Sequence, residues 1–176
     1  MSTGTLRTAY FLPIVSCFIF FIFSFATCKY STKDTSPIPP EIKTFRVNYL
    51  ENKARYINPQ LTPQLTEKLK QKIIGQTRLR QTNSDDAHYD ISGYLSDYSI
   101  TTSAIANQNA STNRLNASFH LIFKNTLDQK KDFETDVATN FDFPATLSLQ
   151  QAESLPDYNI VKNLVEQIFN RIFSNW

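Results

Sequence analysis

The stretch "NRLNASFHLIFKN", residues 113–125, alternates apolar and polar side chains along almost its whole length. Successive side chains of a β-strand point to opposite faces of its sheet. The stretch therefore predicts a strand that buries one face and presents the other to a polar environment. The apolar side of this strand consists of Leu115, Ala117, Phe119, Leu121 and Phe123, and Ile122 is the exception on the polar side.

The segments next to this strand are also predicted to be extended. Residues 88–101 place Tyr89, Ile91 and Leu95 on one side, and Gly93 in their midst indicates a bulge or a close neighbour. Residues 133–143 alternate aromatic or branched side chains with polar, mostly acidic ones, which predicts a further strand. Between these strands, the polar residues 102–112 and the segment "NTLDQKK" predict a loop and a turn.

Earlier in the chain, residues 42–50 alternate in the same way, with Phe45, Val47 and Tyr49 on one side. They predict a first strand with one buried face. Residues 51–58 then predict a loop, and residues 77–82 a short strand before a turn.

Two segments have the spacing of amphipathic helices. Leu65, Leu69 and Ile73 recur every four positions, so residues 63–74 predict a helix that Thr62 caps and Gly75 ends. The second helix follows Pro156 and carries a wide apolar stripe. Its members are Ile160, Val161, Leu164, Val165, Ile168, Phe169, Ile172 and Phe173.

These elements predict an α+β fold of order β-α-β-β-β-α, a small mixed sheet of about four strands with two helices packed on one face. The first strand–helix–strand unit is expected to cross over right-handedly and pair in parallel, and the later strands to form an antiparallel meander. Since each strand has one apolar side, the second face of the sheet should meet something polar.

The N-terminus resembles a secretory signal. Arg7 precedes an uncharged run from Ala9 to Ala26, long enough to span a membrane, although Pro13 interrupts it. Small residues precede Cys28, an order that a lipoprotein signal peptidase reads. We therefore predict cleavage before Cys28 and its lipidation, which gives a signal peptide at 1–27, a lipidated tether at 28–41 and one domain at 42–176.

Two alternatives remain for this region. Cys17 follows a better local match to the lipoprotein motif, but cleavage there would leave the apolar run "FIFFIFSFAT" on the mature chain. An uncleaved helix with two buried thiols is the other alternative. Beyond Cys28 the sequence has no cysteine, so it offers no disulfide framework.

The sequence contains little that indicates catalysis. Its two histidines, His88 and His120, are too isolated for a metal cluster, and three glycines cannot build a phosphate loop. No nucleophile elbow is present. With 18 Lys and Arg against 16 Asp and Glu, the charge balance gives no argument for nucleic acid. We expect a protein that is not an enzyme and holds neither a metal nor another cofactor.

The basic side chains in the predicted loops and strands are candidates for phosphate contacts, because Arg and Lys bind phosphate well. Each one taken alone is an ordinary solvated side chain. The candidates are Lys53, Arg55, Arg78, Arg80 and Arg114.

Six pieces of the sequence form a set that covers essentially the whole mature chain. They are "CKYS" at 28–31, "IPPEIKTFRV" at 38–47, "NPQLTPQLTEKLKQKI" at 58–73, "ISGYLSDYSITTSAI" at 91–105, "DFETDVATNFDF" at 132–143 and "VEQIFNRIFSNW" at 165–176. Together they resemble the LptE family of lipopolysaccharide-assembly lipoproteins, in its Bacteroidota type. The resemblance at "CKYS" supports Cys28 as the lipidated residue, and departures from the family's pattern lie at Lys29 and in the Lys33–Thr35 segment.

This resemblance implies a non-enzymatic lipoprotein of the outer membrane, anchored by its lipid and facing the periplasm and a barrel lumen. Such a protein plugs an LptD-like β-barrel, helps it assemble and assists delivery of lipopolysaccharide to the outer leaflet. It implies lipopolysaccharide as a ligand but transfers no ligand-binding residues to this sequence. The alternative is a generic outer-membrane lipoprotein that binds a glycan or scaffolds another envelope complex.

Overall fold

The computed structural model describes residues 38–56, 58–106 and 109–174. The predicted signal peptide, the lipidated Cys28 and the tether up to residue 37 lie outside the described residues. Within the described ranges, no helix has both the length and the apolar character needed to cross a bilayer.

In the part of the chain that is described, six strands form one mixed sheet and three α-helices accompany it. The strands are β1 (Thr44–Val47), β2 (Glu51–Asn52), β3 (Arg80–Gln81), β4 (Tyr89–Ala106), β5 (Asn109–Asn125) and β6 (Phe133–Pro144). The helices are α1 (Leu61–Gln76), α2 (Leu149–Glu153) and α3 (Ile160–Phe173). A short 3₁₀ turn, Gln129–Lys131, joins β5 to β6.

The sheet has the strand order β3-β1-β4-β5-β6, and β2 also pairs with β4. Strand β1 lies parallel to both β3 and β4, whereas β4, β5 and β6 form an antiparallel meander. The predicted α+β class, the parallel first unit and the antiparallel meander are therefore confirmed. The predicted count of about four strands is wrong: β2 lies in a segment that was predicted as a loop, and β3 lies in the short strand predicted at 77–82, which was not counted as part of the sheet.

The predicted loop at 102–112 is also wrong. Strands β4 and β5 continue to pair out to Ala106 and Asn109, beyond the last pair of β5 with β6, Thr112 with Pro144. The result is a two-stranded ribbon that extends past the rest of the sheet. Residues 101–104, which lead into it, are exposed, so backbone pairing rather than a buried face holds this polar segment extended.

The helices lie on one side of the sheet and close the core. Helix α3 packs against α1, β5 and β6, and all eight residues of its predicted stripe are buried. Helix α1 begins at Leu61, two residues earlier than predicted, and Thr62 is a buried residue of its first turn rather than its cap. Helix α2 was not predicted; Ser148 and Gln151 form a capping box at its start.

One core runs through the described residues and contains the predicted apolar side of the "NRLNASFHLIFKN" strand, whereas Ile122, on the other side, lies outside it. Leu115, Ala117, Phe119 and Leu121 are fully buried, as are Leu65 and Leu69 of α1. Gly93 also lies on this side, and a Cβ built on it would come 2.7 Å from Cζ of Phe119. The close neighbour expected at Gly93 is thus confirmed, whereas the register shift lies further along, between Leu95 and Asp97.

At the β6 edge of the sheet, α3 reaches the outer strand with polar side chains. Gln167 Nε2 donates to the backbone carbonyl of Ala138 at 2.8 Å, and Asn163 Nδ2 donates to Thr139 Oγ1 at 3.4 Å. Helix α3 therefore engages both the backbone and a side chain of this edge strand.

Candidate functional surface

The face of the sheet opposite the helices carries the polar side chains of four strands. This polar face consists of Arg46 of β1 and Asn48 directly after it, Asp90, Ser92, Tyr94 and Ser99 of β4, Arg114, Asn116, Ser118, His120 and Lys124 of β5, and Glu134, Asp136, Asn140 and Asp142 of β6. Its side chains are exposed or half-buried, as the alternation predicted. Cross-strand registry arranges the charged ones into three groups.

The central group crosses the sheet as a row. Lys53 Nζ lies 4.1 Å from the centroid of the Tyr94 ring, and Tyr94 stacks on His120 with the ring centroids 4.9 Å apart. The ring nitrogens of His120 lie 2.8 Å from Asp136 Oδ1 and 3.4 Å from Glu134 Oε2. A cation, two rings and two carboxylates thus form one continuous contact chain.

The electrostatics of this row follow from its geometry. The hydrogen bond to Asp136 raises the pKa of His120 above its ordinary value, and Glu134 acts in the same direction, whereas desolvation opposes both. His120 is therefore more readily protonated than a solvated histidine. Its side chain is 22% exposed, so water still screens the pairing.

The second group lies at the start of β1 and β4. Arg46 forms ion pairs with both Asp85 and Asp90, and Asn48 donates to the same Asp90 carboxylate. Hydrogen bonds from Asp90 and Asp85 raise the pKa of Arg46. Arg46 and Asp90 are mostly buried by their neighbours, so this group is a fixed part of the polar face.

The third group lies near the ribbon. Arg114 donates from Nε and Nη2 to the two carboxylate oxygens of Asp142, at 2.7 and 2.8 Å. This bidentate pair lowers the pKa of Asp142 and raises that of Arg114. Beside it, Asn116 donates to Thr101 Oγ1 at 3.1 Å. The polar face is therefore paired within itself along much of its length.

The five basic candidates do not converge on one site. Lys53 and Arg55 follow β2 near the ribbon, and Lys53 pairs with Glu51 at 3.1 Å. Arg114 lies on the polar face, with its charge compensated by Asp142. Arg78 and Arg80 lie at the opposite end of the sheet.

Arg55 lines a cleft of about 420 Å³ at the base of the ribbon. Its other walls are largely aromatic or apolar, and they include Tyr56 and Ile100, each more than two-fifths exposed. Below it, the Tyr98 hydroxyl donates to Glu153 and lies 3.0 Å from that of Tyr158. Burial raises the pKa of Tyr158 to about 12 and that of Tyr98 further still, so both phenols stay neutral.

Arg78 and Arg80 share a second pocket, of about 280 Å³, with a residue that the sequence did not single out. Lys43 lines it too, together with Pro40 and Ile42. Parallel pairing sets Thr44 opposite Arg80 and so brings Lys43 beside the two arginines. In the sequence, Lys43 is only a lysine before the first strand. It becomes a candidate for anion contact once the pairing of β1 with β3 is known.

Within the described ranges, no group of three or more His, Cys, Asp or Glu side chains has the arrangement of a metal site. Glu134 and Asp136 are each a hydrogen-bond partner of His120. Neither histidine gathers a set of ligands around it.

The comparisons with known proteins agree with this architecture. The sequence profile of the LptE family, described as lipopolysaccharide-assembly, matches residues 42–172. No curated protein matches the sequence significantly.

Among solved structures, an uncharacterised lipoprotein B from Nitrosomonas europaea has a TM-score of 0.55 at 10% identity, covering 76% of this chain and 83% of its own. A minor lipoprotein from Acinetobacter baumannii has a TM-score of 0.51 at 16% identity, covering 78% of this chain and 95% of its own. At these identities the likeness concerns the fold.

Proposed function

The chain belongs to the LptE family of lipopolysaccharide-assembly proteins, and on that premise we propose that it is an outer-membrane lipoprotein that plugs an LptD-like β-barrel. In this role it helps the barrel assemble and assists delivery of lipopolysaccharide to the outer leaflet. Cys28 carries the lipid anchor, and the domain faces the periplasm and the barrel lumen. The role is one of binding and assembly and requires no catalytic group.

The observation that carries this proposal is the internally paired polar face. The lumen of a large outer-membrane barrel is polar. A surface placed against such a wall loses water, and a charge that loses water without a partner is costly. Arg46 with Asp90 and Arg114 with Asp142 already hold their partners, so the face can approach a polar wall without leaving these ions unpaired.

The ribbon end offers the adjoining contact. The segment after β2 runs toward the ribbon, because β2 is parallel to β4, with Glu51 paired to Tyr94 and Asn52 to Leu95, and β4 continues from there into the ribbon. The described residues of the two segments that the sequence predicted as loops, 51–58 and 102–112, therefore lie toward the same end of the domain. We assign this end and the polar face to the barrel.

The basic candidates take different parts in lipopolysaccharide contact. Lys53 and Arg55 flank the cleft end and are placed to meet phosphates that pass along the ribbon. Arg114 is already neutralised by Asp142, so it contributes mainly through the shape of the polar face. Arg78 and Arg80 lie at the other end and meet phosphate there.

Photo-crosslinking in cells tests the plug directly. A photoreactive residue replaces Asn116, Ser118 or Glu134 on the polar face, and Lys162 of α3 serves as the exposed control on the helical side. We expect adducts with a large barrel from the polar-face positions. Adducts from Lys162 alone would mean that the helical side meets the barrel instead. No adduct from any position, together with purification of the protein without a barrel, would favour the glycan-binding or scaffolding alternative.

A further inference from the structure

The end of the sheet opposite the ribbon combines positive charge with an exposed apolar side chain. Lys43, Arg78 and Arg80 surround the smaller pocket there. Their positions are fixed by the backbone: Arg80 N–H donates to the Lys43 carbonyl at 2.9 Å, and Arg78 donates from Nη2 to the Ile38 carbonyl. The pocket is therefore built against Ile38, where the described chain begins.

Leu127 lies at the same end, in the turn between β5 and β6. Thr126 N–H donates to the His88 carbonyl at 3.0 Å, and His88 Nδ1 in turn accepts from Lys43 N–H at 2.9 Å. Leu127 is 54% exposed, and the 3₁₀ turn that follows it carries Lys130 and Lys131. An apolar tip flanked by cations is the chemistry that suits the boundary between lipid headgroups and acyl chains.

The carboxylates at this end are mostly engaged with the protein. Asp85 pairs with Arg46, Asp128 accepts from the backbone of Lys130, and Asp132 accepts from the backbone of Asn125. Glu41 and Asp86 are exposed here as well. The attraction for an anion is therefore local to the pocket and the Lys130 turn rather than spread evenly over the end.

We propose that this end is a docking surface for a phospholipid leaflet, on which Lys43, Arg78 and Arg80 meet headgroup phosphates while Leu127 enters the interface. The inference rests on the lipid attachment at Cys28 proposed above. Ten residue steps separate Cys28 from Ile38, so the pocket can lie no further than roughly 35 Å from the anchored cysteine. Confinement this close gives the bilayer a high effective concentration, so weak individual contacts suffice to orient the domain.

The orientation can be measured on the mature, lipidated chain in vesicles. A thiol-reactive fluorophore is placed on Leu127→Cys and, as a matched control, on Ile100→Cys, which lies in β4 toward the ribbon end of the sheet and has similar exposure. The vesicles contain phosphatidylcholine with or without phosphatidylglycerol, plus a nitroxide-bearing lipid as quencher. With phosphatidylglycerol we expect quenching at position 127 about threefold above that at position 100, falling at high salt because headgroup attraction is screened.

A charge-reversal variant distinguishes the contribution of the pocket to membrane contact from that of the lipid anchor. Lys43→Glu with Arg80→Glu, both exposed, should reduce quenching at position 127 to the level at position 100, while flotation with vesicles is unchanged. Equal quenching at the two positions, or quenching that ignores phosphatidylglycerol, salt and the variant, overturns the docking surface but leaves the anchor standing. A chain that fails to float with vesicles overturns the lipid attachment and this inference together.

Discussion

The ring of Phe119 occupies the space beside Gly93 that a side chain at that position would need. A Cβ on Gly93 would lie 2.7 Å from Phe119 Cζ and 2.2 Å from the His120 carbonyl oxygen, and Gly93 has φ of 152°. Residues other than glycine adopt that backbone conformation only with strain. The strand pair that underlies the polar face thus depends on a glycine on its buried side.

Gly93→Ala should therefore destabilise the fold by about 2–4 kcal/mol, through overpacking and backbone strain together. Urea unfolding followed by circular dichroism measures the change. Gly75→Ala is the matched control, since Gly75 lies in α1 with nothing within 4 Å of the added Cβ. There alanine should be neutral or stabilising by up to about 1 kcal/mol. Equal effects at the two glycines would contradict the assignment.

Leu69→Ala should lower the free energy of unfolding by about 2–5 kcal/mol, because the Leu69 side chain on α1 is fully buried in the core. Ile74→Ala in the same helix is the control; Ile74 is 51% exposed, and its loss should stay within about 0.5 kcal/mol. Thermal melting of the two variants measures which substitution costs more stability. A large loss of stability in Ile74→Ala with little loss in Leu69→Ala would mean that the opposite face of α1 is buried.

His120→Gln should reveal a pH-dependent contribution to stability. Because the fold raises the pKa of His120, the protonated ring stabilises the native state. That contribution is complete below the unfolded pKa of about 6.5 and is lost as pH rises through the raised folded value. The free energy of unfolding of wild type should exceed that of the variant more at mildly acidic than at mildly alkaline pH.

The control for this prediction repeats the comparison of His120 with Gln in proteins that also carry Asp136→Asn. With Asp136 neutral, the largest cause of the raised pKa is absent, so the pH dependence of the difference should shrink. A difference that grows with pH would have the wrong sign and would refute the pairing.

Cys28→Ala should leave an uncleaved precursor without lipid label, since the signal peptidase for lipoproteins needs that thiol. Cys17→Ala should be processed like wild type, because Cys17 leaves with the signal peptide. Metabolic labelling with a fatty acid and the mass of the mature N-terminus give the readout. Lipid labelling of the Cys28→Ala protein would transfer the anchor to Cys17.

The elements that the sequence predicted are those with a long periodic pattern. Strands β5 and β6 and helix α3 each repeat their apolar residues often enough to mark a face, and those residues are buried. Strands β2 and β3 have two residues each and show no period. Residues 101–104, which lead into the ribbon, are all exposed, so the pairing of this segment depends on the partner strand rather than on its own composition.

For the candidate surface, too, the sequence predicted only what a periodic pattern shows. The polar face could be predicted because alternation fixes which side of a strand a residue occupies. The pairs of residues that lie opposite each other on neighbouring strands could not be predicted, because a shift of the register by one residue moves every side chain to the other face of the sheet. Thus the row from Lys53 to Asp136 and the grouping of Lys43 with Arg78 and Arg80 emerged only from the strand pairing.

The contact between Gln167 and the Ala138 carbonyl bears on how a second protein can approach. An edge strand normally offers its backbone groups to any incoming strand. At Ala138 that acceptor is already taken by α3, and Glu134, Asp136 and Asp142 add like charges along the same strand. Growth of the sheet into a neighbouring molecule is therefore discouraged along β6, so this edge disfavours edge-to-edge association of two copies.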